Sequence, residues 1–264
     1  MIDLSGKTAL ITGAGRGIGK GCAIELARHG AQLIINDRPG SPDLESTASE
    51  IRALGAECQA LESDVFARPG CEQLVQQTLD ALNQIDILIS NPAYSQRGAF
   101  LDYPPEDFER TMGGTLISGF HMSQLVARAM VARGQGGKIL FISSVVGEMP
   151  IALCSAYSAA KAGLNRLTEA IAVELSPHRI NVNAIEPGWI DTPGEHETFS
   201  DEAIAEEGKR LPWGRMGTPE DIAKAATFLV SEAADYITGT VLPVDGLFRF
   251  KDCLVQNTVP IKDA

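Results

Sequence analysis

Tyr157 and Lys161 stand one helical turn apart, and Ser144 lies thirteen residues before the tyrosine. These three side chains can do acid–base chemistry. A free phenol titrates at about 10, so its anion is scarce at neutral pH. An ammonium at i+4 shares its helical face and can draw the phenol pKa down. A serine hydroxyl from a nearby strand end can then hold a substrate oxygen against the phenol. Such a site takes a proton from an alcohol or gives one to a carbonyl. Cys154 sits close by in sequence and reads as a pocket wall rather than a nucleophile, because no basic partner accompanies it.

These groups need a scaffold that brings a strand end to a helix face. Apolar runs of strand length fall at 8–12, 32–37, 57–64, 85–91, 138–143, 179–185 and 240–244. Amphipathic stretches separate them, at 17–29, 42–54, 70–82, 105–133, 157–176 and 219–230. Near-continuous apolar strands alternating with helices predict a parallel sheet covered on both faces. The expected fold is α/β: one doubly wound Rossmann-type domain over residues 1–264, with a seven-stranded parallel sheet. Segment 193–217 breaks the rhythm on the ligand side of such a sheet and is expected to be a lid, with a short helical stretch near 201–209.

The first strand runs into Thr12-Gly13-Ala14-Gly15-Arg16-Gly17-Ile18-Gly19, and a helix follows. Glycines let the backbone approach a pyrophosphate, and the helix N-terminus offers free N–H groups. Asp37 ends the second strand, where a carboxylate can accept from the adenosine ribose. That favours NAD, while Arg38 beside it keeps NADP open. Asp64 and Val65 are placed at the adenine, and Asn91 along the adenosine side. Pro187, Gly188, Ile190 and Thr192 follow the sixth strand, where they can hold the nicotinamide carboxamide.

The formal charge of −12 argues against nucleic acid and anionic membranes as partners. The five cysteines are scattered and form no metal-like spacing with the four histidines, so no metal is expected and a reducing cytoplasm fits. No apolar run approaches the ~18 residues of a membrane span.

Taken together, Gly13/Gly17/Gly19, Asp37, Asp64, Asn91, Ser144, Tyr157, Lys161 and Pro187-Gly188 make the chain resemble the short-chain dehydrogenase/reductase family from about Leu4 to Gly246. The resemblance implies Tyr157 as the acid–base, with Lys161 on the nicotinamide ribose and lowering the tyrosine pKa, and Ser144 orienting the substrate oxygen. It also implies a homotetramer. Three departures stand out. The family's Asn-Asn-Ala-Gly reads Ser90-Asn91-Pro92-Ala93. Its helical asparagine, which helps to hold a water, aligns with Thr115, behind two glycines inside a helix. The closing Asp-Gly-Gly reads Asp245-Gly246-Leu247, and a tail over 248–264 follows that can cover a neighbouring subunit's pocket. Thr115 is expected to hold the water through its hydroxyl.

For the substrate, Glu148, Cys154, Trp189, Glu195 and His196 join Ser144 as pocket residues, with Tyr94, Ser95, Gln96 and Met149 nearby. This polar mixture suits an alcohol or a polyhydroxylated sugar. Stretches 90–94 and 186–199 resemble glucose 1-dehydrogenase-like members, which implies oxidation of a sugar hemiacetal. Two other readings compete: a 3-oxoacyl-acyl-carrier-protein reductase, and a regulatory nicotinamide-binding protein weak in catalysis.

Overall fold

Strands without alternation of polar and apolar residues end up covered on both sides. β1 (Thr8–Thr12) is buried along its whole length. Ala9 and Ile11 point into one apolar layer and Leu10 into the other, as the pleat requires. The structure is a computed structural model and describes residues 2–254. β1 is followed by β2 (Gln32–Asp37), β3 (Cys58–Glu62), β4 (Ile87–Ser90), β5 (Gly137–Ile142), β6 (Ile180–Pro187) and β7 (Val241–Val244). They form one parallel sheet in the order β3-β2-β1-β4-β5-β6-β7.

Helices α1 (Gly17–Arg28), α2 (Leu44–Ala53) and α9 (Pro219–Leu229) cover one face. Helices α3 (Arg68–Leu82), α5 (Ser118–Arg133) and α6 (Ser155–Leu175) cover the other. Each fully buried leucine or isoleucine in these layers contributes about 1.5–3 kcal/mol. α1 and α9 pack at backbone distance: a Cβ on Gly21 would lie 2.8 Å from the Pro219 Cβ. α9 starts from a reciprocal cap. Thr218 Oγ1 accepts from the Asp221 N–H, and the Asp221 carboxylate accepts from the Thr218 N–H. The Arg215 guanidinium beside Asp221 holds that carboxyl down at about 2.

The chain winds from β1 outward to β3, returns to β4 beside β1, and continues to β7. That reversal opens a crevice at the carboxyl ends of β1 and β4, where ligands bind in such sheets.

The expected strands are all present, and β3 and β4 are shorter than predicted because Asp64 and Asn91 already lie in the loops that follow them. The expected helix at 105–133 is divided. α4 (Pro105–Met112) and α5 are joined by a π-turn, Gly113–Ile117. Gly114 is there for space, since a Cβ would meet the Phe66 ring at 2.5 Å. Segment 193–217 carries α7 (Pro193–Thr198) as well as the expected α8 (Asp201–Arg210). After β7 a short helical stretch, Phe248–Cys253, turns back along the crevice. The rest of the predicted tail, 255–264, lies outside the described residues. Among the described residues no helix is long and apolar enough to cross a membrane.

Candidate active site

One cleft of about 1880 Å³ runs over the carboxyl ends of the strands. At one end lies the glycine loop. No side chain caps the first turn of α1, whose N–H groups therefore remain open to an anion. The loop is shaped by contact as much as by flexibility. A Cβ on Gly19 would come within 2.2 Å of the Gly13 carbonyl oxygen and 2.7 Å of Asn91 Nδ2. Asn91 Nδ2 donates to that same carbonyl at 2.8 Å, so its side chain ties the loop to β4 while the residue lines the cleft. Thr47 Oγ1 fixes the loop from α2, donating to the Gly15 carbonyl at 2.7 Å.

Arg16, Gly17, Ile18, Asp37, Arg38, Asp64 and Val65 line this end. Asp37 accepts from the Arg38 N–H and from Ser41 Oγ, which aims its carboxylate across the mouth of the cleft. An open helix N-terminus, a glycine cradle that a Cβ would fill and a carboxylate at the end of β2 fit a dinucleotide.

The reactive floor lies farther along, where Ser144, Tyr157 and Lys161 line the cleft together. Ser144 Oγ accepts from the Val146 N–H at 3.2 Å, which leaves its own proton free to donate. Lys161 is 2% exposed, and its ammonium donates to the Ile142 carbonyl at 2.6 Å. It lies 5.4 Å from the centre of the Tyr157 ring. Burial draws the Lys161 pKa down to about 7. Burial pushes the Tyr157 phenol well above its usual range; Ser144 opposes that shift, and Glu195 and Cys154 add to it. In place of the lowering of the tyrosine pKa by Lys161 expected from their spacing, burial raises it. The ammonium points to a backbone carbonyl, and desolvation dominates both groups.

Beneath the floor is a buried polar relay. Ser143 Oγ donates to Asn165 Oδ1 at 2.5 Å, and Asn165 Nδ2 donates to Glu186 Oε1 at 2.6 Å. Glu186 is fully buried, its Oε2 has no partner, and burial raises its pKa. The relay joins the ends of β5 and β6 to the face of α6 that bears Tyr157 and Lys161. Sequence reasoning missed Asn165, although its spacing of eight from Tyr157 places it on that face.

Pro187, Gly188, Ile190 and Thr192 lie where expected, along the cleft after β6. Gly188 passes so close to β7 that a Cβ would sit 2.8 Å from the Asp245 Cα. From there the arm formed by 193–217 arches over. Three successive residues of α7 anchor it. Glu195 accepts from Trp189 Nε1 at 2.7 Å. His196 bridges Asp191 and Asp201 at 2.7 and 2.6 Å. Glu197 reaches across the cleft to pair with Arg16 of the glycine loop.

Cys154, Trp189 and Glu195 line the substrate end, with Phe199 edge-on to Trp189 at 5.8 Å and Phe248 from the C-terminal stretch. Three expected positions are corrected. Glu148 does not line the cleft: its carboxylate pairs with Arg249, which also holds Asp245 and so fastens the C-terminal stretch. His196 is turned outward by its two aspartates. Thr115 is buried, and its hydroxyl donates to the Tyr94 carbonyl at 3.0 Å and accepts from the Tyr94 N–H at 3.1 Å. Its single proton is thus used to brace the loop after β4 rather than to hold a water. Tyr94 itself is not part of the lining.

A family model described as Enoyl-(Acyl carrier protein) reductase matches residues 13–247. L-rhamnose 1-dehydrogenase (NAD(P)(+)) from Sphingomonas sp. (strain SKA58) is 36% identical over 244 residues, covering 92% of this chain and 96% of the relative. Sorbitol dehydrogenase from Cereibacter sphaeroides is 37% identical over 255 residues, covering 92% and 97%. Among solved structures, a short-chain type dehydrogenase/reductase from Mycobacterium marinum superposes with a TM-score of 0.88 at 37% identity, covering 93% of this chain and 96% of that one.

Proposed function

Because the chain belongs to the short-chain dehydrogenase/reductase family, whose members are NAD(P)-dependent oxidoreductases of hydroxyl-bearing carbon, we propose that it interconverts a sugar or polyol hydroxyl and the corresponding carbonyl. The observation that carries this reading is the continuity of the cleft. A dinucleotide cradle and the trio Ser144, Tyr157 and Lys161 share one cavity, whose far end sets the polar Glu195 among Cys154, Trp189 and Phe199. The relatives named for rhamnose and sorbitol support the substrate class. A glucose-type hemiacetal falls within that class.

Bound NAD(P) would supply the hydride acceptor or donor for this interconversion. Ser144 donates to the substrate oxygen with the proton that Val146 leaves free. Tyr157 exchanges the hydroxyl proton. Lys161, its ammonium fixed by the Ile142 carbonyl, would hold the nicotinamide ribose. The arm 193–217 acts as the lid, and Trp189 and Glu195 offer a ring face and a hydrogen-bond acceptor to the substrate. Exposed Phe108, Ile117, Phe120 and Val173, on the long helical stretches 105–133 and 157–176, provide apolar surface for assembly of the proposed homotetramer.

Absorbance at the NADH band, read with both dinucleotides against aldoses, alditols and simple secondary alcohols, tests the reading. Turnover concentrated in the sugars and alditols is expected; turnover confined to apolar alcohols, or none, overturns it. Asp37 and Arg38 bear on the choice of dinucleotide. Asp37→Ala is expected to shift kcat/KM at least about tenfold from NAD toward NADP, by removing a hydrogen-bonded carboxylate that repels a 2′-phosphate. An unchanged ratio would assign the choice to Arg38.

A further inference from the structure

An ion pair bridges the dinucleotide end of the cleft, and the glycine cradle does not need it. Arg16 precedes α1, yet its side chain caps no N–H of the first turn. The guanidinium leaves the loop and meets the Glu197 carboxylate of α7 edge to edge. Nη1 donates to Oε1, and Nη2 donates to Oε2 at 3.2 Å. A two-point pair fixes the direction of the guanidinium and occupies the fork with which it can grip an anion. Both partners are exposed, so the pair adds little to folding stability. Its place matters more than its strength.

That place is the adenosine side of the cleft, where Arg16, Asp37, Arg38 and Asp43 line the wall. Glu197 acts most strongly on Arg16, and Asp43 and Asp37 act on it from farther off. Arg16, and after it Arg38, holds the Glu197 carboxyl below its usual range. One carboxylate on the arm therefore bears on both arginines of this end. NAD and NADP differ only by the 2′-phosphate on the adenosine ribose. A phosphate monoester carries about −1.5 to −2 charge at pH 7 and calls for an arginine with an open fork. Asp37 disfavours such a group from the end of β2. Arg16 can serve it only by giving up Glu197, whose charge then stands beside a second anion.

We propose that Glu197 is a specificity-determining residue, which favours NAD over NADP by occupying the Arg16 fork from the arm. NAD leaves the bridge between arm and glycine loop closed, and NADP has to open it. The choice of dinucleotide is thus shared between the end of β2 and a helix 160 residues farther along the chain. This goes beyond the sugar or polyol reading and does not rest on it, because it concerns dinucleotide binding alone.

The test measures Kd for NADH and NADPH by fluorescence titration at low ionic strength, in the native protein, Glu197→Gln, Arg16→Gln and the double variant. Both side chains are exposed, and circular dichroism checks that each variant keeps its fold. Glu197→Gln is expected to improve NADPH binding relative to NADH by about fivefold or more. In the Arg16→Gln background the same substitution is expected to move that ratio by less than about twofold. A residue that only tethers the arm would alter both dinucleotides alike, so a ratio unmoved by Glu197→Gln overturns the proposal. A shift of equal size with and without Arg16 overturns it too, since the carboxylate would then act without the fork. Neither result touches the sugar and polyol reading, which turnover decides.

Discussion

The floor of the cleft and the arm that crosses it are both held by polar contacts, but in opposite surroundings. Under the floor, Ser143, Glu186 and Lys161 are buried and Asn165 is half-buried. Over the mouth, Arg16 with Glu197 and His196 with its two aspartates are exposed. Exposed ion pairs contribute roughly 0–1 kcal/mol and weaken with salt. A buried polar group that loses its partner costs about 1–3 kcal/mol. The same hydrogen-bonding chemistry therefore fixes the geometry of the floor and gives the proposed lid only a weak tether.

The contrast is sharpest at Tyr157. Tyr157→Phe keeps the packing and removes the proton-carrying atom, so at least about 100-fold of turnover is expected to be lost with dinucleotide binding retained, as read by fluorescence titration and steady-state rates. Near-normal turnover would take the floor out of the chemistry. Next in size is Asn165→Ala. It strands the Ser143 hydroxyl and Glu186 in the interior and is expected to lower unfolding stability by about 2–4 kcal/mol in denaturant titration. A cost under about 0.5 kcal/mol would show the relay to be ornamental.

The smallest effect belongs to the arm. Its two aspartates, Asp201 first and then Asp191, raise the His196 pKa above the usual 6.5. A raised folded-state pKa means that the tether holds fully below about 6.5 and fades as pH climbs through the raised value. His196→Gln is expected to flatten the pH dependence of KM in that window, with a change under about fivefold, and to leave the alkaline range unaltered. A loss of turnover as large as that of Tyr157→Phe would erase the distinction between the two regions.

Much of this was legible in the chain. The order of strands and helices follows from apolar runs, and motif spacing together with the family resemblance puts the glycine loop, Ser144, Tyr157 and Lys161 beside one another, where they line one cleft. What failed was direction. Glu148 and His196 lie beside site residues in sequence, yet stronger partners, Arg249 for one and two aspartates for the other, draw them away. Lys161 was expected to face the phenol, and a backbone carbonyl at 2.6 Å holds it instead.

The pairing of Thr12 with Ser90 joins parts of the chain far apart in sequence, and the crevice exists only where those two strands meet. A growing polypeptide that has not yet emitted β4 has a complete glycine loop and no crevice beside it. Closing so distant a contact is slow, because the intervening chain must first be ordered. Affinity for the dinucleotide is thus expected to appear only once β4 has paired with β1.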